Sequence, residues 1–205
     1  MKVSIQSLGA VQSQLTSAQR EIDFAASKVT SDIGSHFSAI TGLNDAGVIH
    51  GRAIKQDPAS AQEILRSYSN QVGWTTELLA AEILALENQE ASNTTGLERA
   101  DIGGTVSDHD VNLPSQPIFT MTPLSFVPPV VVPGSSLLQL ANSFNSTNFA
   151  ELGRAAADWN TMSSSIRQVV EQLNSAASQI ESENDSDFTR SAASKIRELA
   201  STGEQ

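Results

Sequence analysis

Apolar residues recur along this chain at intervals of three and four. Leu8, Val11, Leu15, Ala18, Ile22, Ala25, Val29, Ile33, Phe37 and Ile40 succeed one another without a miss. That spacing draws a single stripe on an α-helix of roughly nine turns, about 50 Å long. The segment "TGLNDAGVIHG" then interrupts the pattern with three glycines. Asp57 followed by Pro58 marks a restart, because Asp caps free N–H groups and Pro fits a first turn that needs none. A second helix is predicted from about 58 to about 100. Its main stripe is Ala61, Leu65, Tyr68, Val72, Thr75, Leu79, Ile83 and Leu86. Trp74, Leu78, Ala81 and Ala85 form a second stripe beside it. One face suffices for a hairpin, so two faces imply a third helix, which is expected to be the one carrying Trp159.

The helical period fails over 103–136. Six of the seven prolines fall between 114 and 133, around "PLSFVPPVVVPG". Proline at that density forbids helix and disfavours paired strands, so the segment reads as an extended linker. Its apolar residues, among them Phe119, Leu124 and Phe126, are expected to lie along the helices. A membrane-inserting tip is the sharper alternative, but the segment is short and has no basic flanks. Leu137, Leu138, Leu140, Ala141 and Phe144 suggest a short helix, and Asn148 with Glu151 resembles a capping pair. A long stripe comes next: Leu152, Ala155, Trp159, Met162, Ile166, Val169, Leu173, Ala176 and Ile180. "ENDSD" at 183–187 makes a turn. Phe188, Ala192, Ile196 and Leu199 form a last short helix. The expected architecture is all-α: an elongated antiparallel four-helix bundle of two hairpins, 1–102 and 137–205, joined by the linker 103–136. Trp159, with Met162 and Ile166, is expected in a helix–helix seam or a partner interface, together with Trp74 and Leu78.

Composition narrows what such a bundle does. Aromatic residues make up 5% of the chain, which suits close helix packing and not a wide aromatic-lined pocket. The formal charge is −11, from 12 Lys+Arg against 23 Asp+Glu, spread over both halves. That surface repels phosphate backbones and anionic lipid, so nucleic acid is not an expected partner. There are no cysteines, which removes disulfides, thiol catalysis and thiolate zinc sites. The N-terminal "MKVSIQSLGAVQSQL" has one Lys and no continuous apolar core, so no cleavable signal peptide is expected. No run approaches the ~20 apolar residues of a membrane span.

Little chemistry is in view. His36, His50 and His109 show no metal-ligand spacing. "SDHDVN" offers Asp108 and Asp110 to a weak cation, but it lacks the glycine turn and terminal Glu of a calcium loop and reads as solvated. No serine stands in a strand–turn–helix elbow. "DIGGTV" has no following Lys to make a phosphate loop. Neither an enzyme nor a cofactor is expected.

Both helical regions resemble the helical-hairpin substrates of type VII secretion systems, the WxG family and the related PE and PPE proteins. In "RAAADWNTMSSSI" an Ala-rich segment leads into a Trp, as in the family. The later turn, "NDSDFTRSAASKI", has Phe188 where the family's Trp stands and Arg190 where its Gly stands, followed by the small Ala192 and Ala193. The end of the second helix, "LERAD", has Leu97 in the place of the family's Tyr and keeps the acid at Asp101. The resemblance implies a fused pair whose two motifs meet at one tip as a composite export signal, so Leu97–Asp101 and Phe188–Arg190 should lie at the same end. It further implies a translocation ATPase or chaperone as partner, possible pairing with a small helical partner or a second copy, and export without a cleavable signal peptide, alone or as the N-terminal domain of a larger effector. A cytoplasmic helical adaptor that keeps a partner soluble is the alternative.

Overall fold

A computed structural model describes residues 3–29, 47–48, 50–56, 60–98 and 149–204. All its elements are helical: α1 (Ile5–Val29), a π-helical turn (Arg52–Gln56), α2 (Ala61–Glu98), α3 (Phe149–Glu183) and α4 (Asp187–Gly203). The helices pack as a bundle. The proline-rich segment, the short helix expected near 137–144, the Asp57–Pro58 restart and the continuation of α1 to Ile40 lie outside the described residues.

Serine and threonine are weak helix formers, yet these helices carry many. The hydroxyls of Ser13, Thr16, Thr75, Thr76, Thr161 and Ser178 donate to carbonyls four residues earlier, at Gly9, Gln12, Gln71, Val72, Ala157 and Asn174. The bond satisfies each hydroxyl without a partner from another element. That is why Thr75 and Thr76 are buried without penalty in α2.

The chain divides into two compact units. The first gathers Met1–Arg20, Tyr68–Ile118 and Arg167–Gln205. Its core is built by Leu8, Val11 and Leu15 of α1, Val72 and Leu79 of α2, Val169, Leu173 and Ile180 of α3, and Ile196 and Leu199 of α4. Each such side chain, taken wholly from water, contributes about 1.5–3 kcal/mol. Contacts order the helices: Asn184 meets Ser4, and Gln179 meets Gln14 at 3.0 Å, so partners advance along α1 as they retreat along α3. Helix α4 folds back on α3 through an Arg197–Glu181 ion pair, and a Cβ at Gly203 would stand 2.8 Å from Val170. The Tyr68 hydroxyl donates to the Leu199 carbonyl at 2.9 Å, tying α2 to α4.

The second unit gathers Glu21–Ser67 and Phe119–Ile166. Its described core is lighter: Ile22, Ala25 and Ala26 of α1, Ala53 and Ile54 of the π-helical turn, Ala61 and Leu65 of α2, and Ala155 of α3. Polar ties supplement it. The Ser165 hydroxyl donates to the Glu21 carboxylate at 2.7 Å, and Trp159 is bonded to His50. Each unit thus draws on segments far apart in sequence.

Candidate functional site

The turn between α3 and α4 is made by its sequence, "ENDSD". Helix α3 stops at Glu183, and Asn184 closes it with its backbone N–H on the Ile180 carbonyl at 3.0 Å. The Asn184 side chain does three further things. Its Oδ1 accepts from the Ser4 backbone N–H at 2.7 Å, and its Nδ2 donates to Ser7 Oγ at 3.3 Å and to the Ile180 carbonyl at 3.2 Å. Ser4 in turn caps α1, its Oγ accepting from the Ser7 N–H at 3.2 Å. One buried amide therefore fastens the start of α1 to the end of α3.

Two residues on, Ser186 caps α4. Its side chain accepts from the Thr189 N–H at 3.1 Å, and its own N–H donates back to Thr189 Oγ1 at 3.0 Å. This is a capping box with Thr in the place usually held by Glu or Gln. Asp187 adds a negative charge in the first turn, where the helix dipole favours it.

Phe188 and Arg190 lie in the first turn of α4. Phe188 is half-buried. Arg190 is exposed and donates to Asp185 at 2.8 Å and Asp187 at 3.0 Å. The Arg190 hydrogen bond and charge hold the Asp185 carboxyl below its usual pKa. Of the other proposed tip residues, Leu97 lies in the last turn of α2, its side chain outside the described part, and Asp101 lies outside the described residues. Their distance from Phe188 and Arg190 is therefore not among the described geometry.

Trp159 is half-buried in α3, as are Met162 and Ile166. Its indole N–H donates to His50 Nε2 at 2.8 Å, and the two rings meet edge to face with centroids 6.0 Å apart. Burial pushes the His50 pKa down, and the nearby Asp158 carboxylate opposes that shift. Accepting that bond takes a lone pair on Nε2, which is the neutral imidazole with its proton on Nδ1. Trp74 and Leu78 are half-buried on α2, and Ala81 is buried.

Sequence periodicity located the stripes but missed these polar fasteners. In α4 the buried face is Thr189, Ala193, Ile196, Leu199 and Ala200, while Phe188 and Ala192 are half-buried. Ile196 and Leu199 of the predicted stripe are buried, but at its start Thr189 and Ala193 take the places expected for Phe188 and Ala192. The reason is the capping box: it satisfies the Thr189 hydroxyl, so a polar residue takes the core position. The Ser-x-x-Thr spacing was the available signal. Ser4–Asn184 and His50–Trp159 join residues far apart in sequence and leave no local pattern.

Among the described residues no group of three or more His, Asp or Glu side chains is placed to hold a metal ion. No described helix is long and apolar enough to cross a membrane. Comparison with protein-family models, with curated proteins and with solved structures finds no match for the chain.

Proposed function

We propose that this chain is a non-enzymatic helical protein handled by a type VII-like secretion system, either as a substrate or as the export domain of a larger effector. In this reading the helices form an elongated antiparallel four-helix bundle of two hairpins joined by the proline-rich segment. The α3–α4 turn and the end of α2 form a composite tip, Leu97 and Asp101 with Phe188 and Arg190, which a translocation ATPase grasps. The protein reaches the cell surface or the medium by that route.

The observation that supports this best is the construction of the α3–α4 turn. Asn184 and the Ser186–Thr189 box fix its backbone, and the half-buried Phe188 and the exposed Arg190 follow in the first turn of α4. A fixed turn presents its side chains at low conformational cost to a receptor. The test is export in a host carrying a type VII system. The tagged chain is expected in the medium only when the translocation ATPase is present. Phe188→Ala and Asp101→Ala should each lower the exported fraction at least tenfold, with the melting midpoint and cellular level as controls. Equal export without the ATPase, or full export of both variants, overturns the reading.

A cytoplasmic adaptor is the second reading. It is favoured by three apolar side chains left exposed, Phe24 at 49%, Val48 at 40% and Phe149 at 66%. It predicts a cytoplasmic partner that co-purifies with the chain and loses solubility when the chain is deleted.

A further inference from the structure

The His50–Trp159 contact belongs to the second unit and plays no part in the proposed tip. It joins the short helical segment at His50 to the front half of α3 across 109 residues of sequence. The bond requires a lone pair on Nε2. An imidazolium has N–H groups at both nitrogens and accepts nothing. We propose that this contact is a proton-operated latch: when His50 takes a proton on Nε2, the Trp159 N–H loses its acceptor and the His50–Gln56 segment is released from α3 within the second unit.

Three observations support the latch. The first is its share of the unit's cohesion. Among the described residues the large apolar side chains buried in this unit are Ile22, Ile54 and Leu65, the rest being Ala, so a single polar tie carries weight. The second is the backbone immediately after His50. Arg52–Gln56 is a π-helical turn, a rare winding that occurs mostly as single turns and frequently at functional sites. The third is the charge around the ring. Asp158, next to Trp159 on α3, acts electrostatically on His50 and favours its cationic form, so the released imidazolium has a carboxylate to turn toward. The other acidic groups of the unit that have described bonds are engaged elsewhere: Glu21 of α1 with Ser165, and Glu63 of α2 with Arg66. On its own segment the nearest charged residue in sequence is Arg52, two residues on.

Burial sets the sign. The fold favours neutral His50, so its contribution is complete above the ordinary imidazole value of 6.5 and is lost as pH falls below it. Acid, not base, opens the latch.

Nitrogen-15 NMR of the full chain, with His50 and the Trp159 indole assigned, tests this directly. At pH 8 the His50 shifts should be those of the Nδ1–H tautomer. Between pH 7 and pH 5 the Trp159 indole resonance should move with the His50 midpoint. Its hydrogen-exchange protection, corrected for the intrinsic pH dependence, should fall at least tenfold. His50→Gln offers a carbonyl acceptor that does not titrate, and it should make that protection independent of pH. The proposal is overturned by an Nε2–H tautomer at pH 8, by an indole resonance that does not respond, or by the same response in His50→Gln. It is overturned equally if backbone amides around Leu173 and Ile196 in the first unit lose protection at the same midpoint, because the event is then global unfolding.

Discussion

Replacing Asn184 tests whether one buried amide holds the start of α1 to the α3–α4 turn. Asn184→Ala removes three side-chain bonds at once. They are not equal. The 2.7 Å bond from the Ser4 N–H is the shortest, and its loss strands a backbone donor in a part-buried place, which costs about 1–3 kcal/mol. The Ile180 carbonyl keeps the Asn184 backbone N–H as a donor, and the 3.3 Å bond to Ser7 is long, so these two together add about 1 kcal/mol or less. The expected total is about 1–4 kcal/mol. Urea unfolding followed by helical circular dichroism should show the midpoint falling with the slope unchanged. Asn184→Asp keeps an acceptor for Ser4 beside the positive end of α1 and loses only the donor, so it should cost about half as much. Ser7→Ala alone should cost little, and in a double-mutant cycle with Asn184→Ala its effect should shrink further. A loss below about 0.5 kcal/mol for Asn184→Ala, or Asp proving the worse substitution, would refute the reasoning.

The glycines give opposite expectations from one substitution. A Cβ at Gly9 or Gly153 meets nothing within 4 Å, so Gly9→Ala and Gly153→Ala should each raise stability by about 0.5–1 kcal/mol in thermal melts. At Gly203 the added carbon would stand 2.8 Å from Tyr68 Oη and from Val170 Cγ2, a stiff side chain, so Gly203→Ala should lower the melting midpoint despite its better helix propensity. Burial pushes the Tyr68 hydroxyl pKa above its ordinary value. Its contribution is therefore complete below pH 10 and lost as pH rises above it. Absorbance titration should show Tyr68 ionising only together with unfolding, and Tyr68→Phe should cost about 0.5–1.5 kcal/mol. Hydrogen bonds from Arg197 and Arg190 hold the Glu181 and Asp185 carboxyls below their usual values. Their contribution is present above the ordinary carboxylate range and fades as pH falls through it. Arg190→Gln and Arg197→Gln together should flatten the acid limb of a stability–pH curve, read from urea midpoints between about pH 6 and pH 3.

The helices were legible in the sequence because their signal is local. Leu8, Val11, Leu15, Ala18, Ile22 and Ala25 were placed on one face by spacing alone, and all six are fully buried. An apolar residue every three or four positions leaves an α-helix few ways to hide its surface. The same logic located Val169, Leu173, Ala176 and Ile180 in α3. It weakened where the packing thins, at Trp159, Met162 and Ile166, because period tells which face turns inward and not how fully it is covered. Tertiary structure alone decided what the polar residues do. Asn184, Ser4, His50 and Trp159 carry no periodicity that names a partner, and each finds its partner more than 100 residues away in sequence. Hydrophobic burial is non-directional and is written into spacing. A hydrogen bond is directional, needs its two atoms within about 3 Å, and is settled only when the helices have already met.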